Sequence, residues 1–178
     1  AAADFERALA YRRAIGDESA CAIIMAAQGA MMLERGQLAD ALENLRTAVS
    51  SYESRGEKYG LGPSLGDLAL VHALQGRPDA AVDCLLRAEE NLKSLGDRYH
   101  WGLCVLRRAV LASAGIGEGT AEDLRRHTLE VFEPCTIASR RHLQRIAEEG
   151  FTERNPDNVD ARTLRILAEH LGVLDQWS

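Results

Sequence analysis

Small and large apolar residues recur along this chain in a register of forty. Written in rows that begin at Ala1, Ala41 and Ala81, one segment reads AAADFERALAYRRAIGD, ALENLRTAVSSYESRGE and AVDCLLRAEENLKSLGD. Phe5, Leu45 and Leu85 stand four residues after the leading alanine, and Ala8, Ala48 and Ala88 three further on. Small, large at i+4 and small at i+7 is the spacing of one helix face, with alanine where a neighbouring helix comes close. Gly16, Gly56 and Gly96 follow Ile15, Arg55 and Leu95. Each glycine reads as the left-handed residue that closes a helix at no steric cost. The segments between them keep the same discipline: Met25, Leu65 and Val105 align, then Gly29, Ala69 and Ala109, then Met32, His72 and Ala112. Turns follow at Gly36, Gly76 and around Gly115 and Gly117. Pro78 suits a first helical turn, where its missing N–H does no harm. Pro63 likewise predicts an early turn and a late helix start near 60–62. The unit is helix–turn–helix, repeated every forty residues, which makes a stacked array the expected fold.

After residue 120 the periodicity fades. Thr120 reads as an N-cap with Asp123 at N3, a shorter-acid capping box, and Pro134 breaks the chain. TIASRRHLQRIAEEG and NVDARTLRILAEHLG each read as an amphipathic helix ended by glycine, Gly150 and Gly172, joined by the polar loop FTERNPD. Leu143, Ile146, Leu164, Leu167, Leu171 and Trp177 are expected to cover the open end of the stack, since terminal units of a solenoid are atypical. The expected organisation is an array over 1–120, with a half repeat at 1–16 and repeats starting near 18, 58 and 98. Residues 121–178 then supply its last helix and a helical cap. The first residues already lie inside a second helix, so the chain is expected to be a piece of a longer protein whose missing half repeat lies upstream.

Composition fits a helical domain: 178 residues, 46% hydrophobic, 27% charged, only 5% aromatic and four prolines. The net charge of −6 argues against general affinity for nucleic acid or an anionic membrane. ACAIIMAAQGAMML is shorter than the roughly 20 residues of a membrane span and reads as a buried helix. No signal peptide is legible. Cys21, Cys84, Cys104 and Cys135 form no CxxC and read as reduced thiols of a cytoplasmic protein. His72, His100, His127, His142 and His170 fall one per segment, and His72 occupies a packing position. His127, Cys135 and His142 straddle the proline break, which does not suit a tetrahedral metal site. No catalytic residue, metal or cofactor is predicted.

The set Met25, Gly29, Met32, Gly36, Ala41, Leu45 and Ala48, repeated as Leu65, Ala69, His72, Gly76, Ala81, Leu85 and Ala88, resembles the tetratricopeptide repeat family over roughly residues 1–120. Departures are the period of forty, the loss of the first-helix Trp and Tyr, and the absent closing Pro. The longer period is similar to arrays in large bacterial signal-transducing regulators. The resemblance implies an all-α, right-handed superhelix whose first helices line a concave groove, and a non-enzymatic protein–protein interaction module. By that resemblance the groove residues are Ile23, Ala26, Ala30, Leu33 and Glu34, then Pro63, Gly66, Leu70, Ala73 and Leu74, then Leu103, Leu106, Val110 and Ala114. They are mostly small or apolar and suit an apolar peptide or helix; the basic clamp of chaperone-binding relatives is missing. Contact of these residues with the chain's own terminal helices is the competing expectation. Arg107, Arg108, Arg125, Arg126, Arg140 and Arg141 form a candidate basic edge for an acidic peptide or phosphate, set against a solvated face balanced by acids. A homo-oligomeric scaffold is the alternative function. A nucleic-acid-associated helix-turn-helix over 136–172 is disfavoured, because its connecting loop is too long.

Overall fold

The computed structural model describes residues 2–135, 141, 144–147 and 159–177. The described residues form α1 (Ala2–Ala14), α2 (Glu18–Glu34), α3 (Leu38–Arg55), α4 (Lys58–Leu74), α5 (Pro78–Leu95), α6 (Arg98–Ser113), α7 (Ala121–Phe132), α8 (Val159–His170) and a 3-10 turn at Leu174–Gln176. Residues 144–147 are helical as well. Gly150, the loop after it, His142 and Leu143 lie outside the described residues, as does most of the region in which a helix-turn-helix was considered.

Each corner is built from two residues acting together. Gly16, Gly56 and Gly96 adopt φ of 71°, 65° and 70°, the left-handed conformation that ends the preceding helix. At two of the three corners the acid that follows the glycine caps the next helix: Asp17 Oδ1 accepts from the Ala20 N–H at 3.0 Å, and Asp97 Oδ1 from the His100 N–H at 3.2 Å. Glu57 holds the same position without a side-chain cap and instead accepts from the Ser19 hydroxyl at 3.2 Å and from Arg55 at 3.0 Å. Thr120 caps α7 by accepting from the Asp123 N–H at 3.1 Å, and its hydroxyl donates to the Asp123 carboxylate at 2.7 Å. One expectation is corrected. α4 starts at Lys58 and carries Pro63 inside it, so the proline does not delay the helix. Its ring costs one intrahelical bond in the second turn, and the helix is retained by the packing of its other face.

Successive helices pack antiparallel along the chain, and the first helices α2, α4 and α6 also approach one another. The second helices α3 and α5 stand farther apart, with a cleft of about 890 Å³ between them. That asymmetry curves the array and makes the α2–α4–α6 side concave. The core runs between the two layers, where Ala41, Leu45, Ala48, Leu65, Ala69, Ala81, Leu85, Ala88, Val105 and Ala109 are buried. A second set of contacts keeps the repeat: Ala22 lies in one cluster with Tyr52, Gly62 faces Leu92, and Gly102 faces Phe132. At each of these a small residue on the first helix admits a large one from the second, again at forty-residue intervals.

α8 rests on α4 and α6, on the concave side. Ile146, Leu164, Leu167 and Trp177 are buried and Leu171 is partly so. The Trp177 indole N–H donates to the Ser113 hydroxyl at 3.0 Å, and the Arg125 guanidinium lies 4.8 Å from its ring. The terminal helix therefore lies on the inner face of the array, in line with the competing expectation for the groove residues and not with a seat over the open end.

Candidate functional site

The concave face is a strip of four rows. By register, Ser19, Tyr59 and Tyr99 form the first row, Ile23, Pro63 and Leu103 the second, Ala26, Gly66 and Leu106 the third, and Ala30, Leu70 and Val110 the fourth. Steps of four, three and four residues keep each set on one face of its helix. Exposure divides the strip. Leu70, Leu103, Leu106 and Val110 are buried, together with Leu33 and Ala73, where α8 lies on α4 and α6. Ala26, Ala30, Leu74 and Ala114 are partly buried and Glu34 is exposed. At the other end the strip is open: Ile23 is 58% exposed and Tyr59 85%. The first helices thus present an apolar mouth on α2 and the start of α4, with α8 closing what lies beyond it.

A recess of about 130 Å³ marks the boundary between mouth and closed part, lined by Ala30, Leu33, Glu34, Pro63, Asp67, His100, Leu103, Cys104, Arg107 and Thr163 of α8. Its wall carries charge. Arg107 is buried and donates to Asp67 at 3.0 Å, and its guanidinium lies against Gly66, where any side chain would displace it. Arg162 of α8 reaches Glu34 at 3.5 Å across the same rim. Burial pushes the Cys104 thiol up to about 12, which keeps it protonated and unreactive.

The five described arginines of the candidate basic edge do not converge. Arg107 is engaged with Asp67, and Arg108 donates to the buried Glu89 at 3.0 Å. Arg125 donates twice to the Ala147 carbonyl, at 3.0 and 2.7 Å, while Arg126 pairs with Asp123 on its own helix. Arg141 is exposed, and Arg140 lies outside the described residues. Three of the five described arginines therefore hold internal structure, tying α6 to α4 and α5 and α7 to the terminal segment.

The described histidines are dispersed. His72 lines the outer cleft between α3 and α5, His100 pairs with Asp97 at 2.8 Å, and His127 with Glu130 at 3.3 Å while its ring meets Trp101 edge-on. Among the described residues no three His, Cys, Asp or Glu side chains gather as metal ligands, and no helix is long and apolar enough to cross a membrane.

Sequence reasoning missed Tyr59, Asp67 and Thr163. Tyr59 was hidden by the late start assigned to α4, which left it outside the helix; counting back from Pro63 by one turn would have found it. Thr163 belongs to a helix whose seat no local pattern reveals.

Residues 29–94 match the family model for the tetratricopeptide repeat. No curated protein and no solved structure matches the chain. Helix pairs stacked in a two-layered array, with the family's small and large packing positions buried between them, agree with that match, which makes residues 29–94 similar to the tetratricopeptide repeat.

Proposed function

We propose that the chain is a non-catalytic interaction module that takes a peptide or helix of a partner protein over the open mouth of its concave face. Tetratricopeptide repeats are in general protein-binding modules, which supports the broad reading. The finer one is carried by a single observation: Ile23 and Tyr59, two large side chains on the strip that lines the groove, stand exposed beside the small residues Ala26 and Ala30. A large apolar and an aromatic side chain flanking small ones is the composition of a binding hot spot. Free cysteines are in keeping with a reducing, cytoplasmic setting.

The reading is tested with a photo-reactive phenylalanine analogue at position 59, irradiated in the cells that make the protein. The expected result is a covalent link to a foreign polypeptide. Ile23→Arg is expected to lower that yield at least about tenfold, the loss of one hot-spot contact, with helicity and melting temperature unchanged. The analogue at Leu86, 49% exposed on α5, serves as control. A link only to other copies of the chain, or one indifferent to Ile23→Arg, contradicts the proposal.

A further inference from the structure

The first helices do not meet the outer layer alike. Gln28, Leu68 and Arg108 hold one register position on α2, α4 and α6. Gln28 donates to Glu6 of α1 at 3.1 Å, and Arg108 donates to Glu89 of α5 at 3.0 Å, so each of those helices is tied through a polar link to the second helix before it. In α4 the link is missing. The counterpart of Gln28 and Arg108 is Leu68, that of Glu6 is Arg46, and that of Glu89 is Val49. An apolar contact replaces the polar tie, and the cation at 46 has no acid or amide to meet. Among the described residues Arg46 makes no hydrogen bond or ion pair.

The outer cleft between α3 and α5 opens over this place. Leu68, Val49 and Cys84 give it a buried apolar floor, and Arg46 and His72 border it. Nδ1 of His72 is shut off from water without a partner, so the polar edge that the ring can offer to the cleft is Nε2. Arg46 and Arg77 are the charges that act on this imidazole. The other cation of the cleft, Arg87, is engaged by Glu53 and Asp83, and Glu43, one turn before Arg46, is the remaining acid. A volume of about 890 Å³ falls within the roughly 300–1,000 Å³ of small-molecule sites. We propose that this cleft binds a small organic acid, whose carboxylate meets Arg46 and the Nε2–H of His72 and whose apolar body lies over Leu68, Val49 and Cys84. Charge and floor act together: an acid without the body forgoes the apolar burial, and a body without the acid leaves Arg46 unmatched. The cleft is built by residues 39–87 on the layer away from the concave mouth, and the two proposals stand or fall independently.

Isothermal titration with octanoate up to about 10 mM tests it. The expected result is a single site with a dissociation constant below about 1 mM. Long-range proton–nitrogen spectra are expected to show the His72 imidazole signals moving while those of His100 and His127 stay. Arg46→Gln is expected to weaken octanoate at least about tenfold, the loss of one charge-assisted hydrogen bond, with helicity unchanged because the side chain is exposed. Octanamide, which keeps the body and loses the charge, is expected to bind the native and Arg46→Gln chains equally. Ile23→Arg leaves octanoate binding as it was. Neither heat nor a His72 shift at the highest concentration overturns the proposal. Binding that is indifferent to Arg46→Gln, or lost with Ile23→Arg, overturns it equally and assigns the acid to another apolar surface.

Discussion

His72 stands where Met32 stands one repeat earlier, on the face of α4 that packs toward the second helices. Its Nδ1 is shut off from water without a hydrogen-bond partner. Burial lowers its pKa below the usual imidazole value, and the cations Arg77 and Arg46 act in the same direction; Glu43, Glu53, Asp83 and Arg87 line the rest of the cleft. In the unfolded chain the imidazole takes up its proton near pH 6.5. In the fold it does so only at lower pH, so between the two values the unfolded state binds more protons. Stability then falls as pH drops through that window and is insensitive to this group above it. The expected outcome is a urea midpoint that declines from pH 7 to pH 5, with part of that decline missing in His72→Met, which copies the residue of the preceding repeat. Equal declines in the two chains would show that His72 titrates as it does in water.

Among the helices, the determinant that sequence reasoning overlooked is a pairing of small with large. The reading followed residues 25, 29 and 32 and their repeats, and these do pack; it did not join residue 22 to residue 52, or 62 to 92, or 102 to 132, because partners thirty residues apart leave no local pattern. Glycine in mid-helix costs about 1 kcal/mol against alanine when nothing else intervenes, so Gly62 and Gly102 are retained for room, not for propensity. The ring of Phe132 fills the space that a Cβ on Gly102 would need, and Leu92 fills that of Gly62. Gly102→Ala is therefore expected to destabilise the fold by about 1–3 kcal/mol by overpacking, despite its better helix propensity. Phe132→Leu in the same chain is expected to recover part of the loss. Chemical denaturation of the three proteins reads this directly, and a Gly102→Ala chain more stable than the native one would contradict it. The corners were legible because glycine acts locally, closing the helix before it; the capping of the next helix by Asp17 and Asp97 was not assigned from the sequence. Pro63 misled for the opposite reason, since tertiary packing of Leu65, Leu68 and Ala69 holds α4 helical across a residue that local chemistry disfavours.

For the whole molecule, periodicity made the two-layered array readable, and the curvature follows from which helices carry the small residues. What periodicity did not carry was the seat of the terminal helix. Leu164, Leu167 and Trp177 announced an apolar face in need of cover, but the end of the stack and its inner surface are equally apolar, and only the folded chain distinguishes them. With α8 lying on α4 and α6, Leu70, Leu103, Leu106 and Val110 belong to the core, and the proposed partner surface contracts to Ile23, Tyr59 and their small neighbours. The measurement that tests this account most directly is the fluorescence of Trp177 in a Trp101→Phe chain, where it is the one remaining indole. Folded against Ser113 and Arg125 at 2% exposure, it is expected to emit at short wavelength and to resist acrylamide quenching until the protein unfolds. Long-wavelength emission quenched as freely in the native as in the unfolded chain would contradict the closed inner face on which the proposed mouth depends.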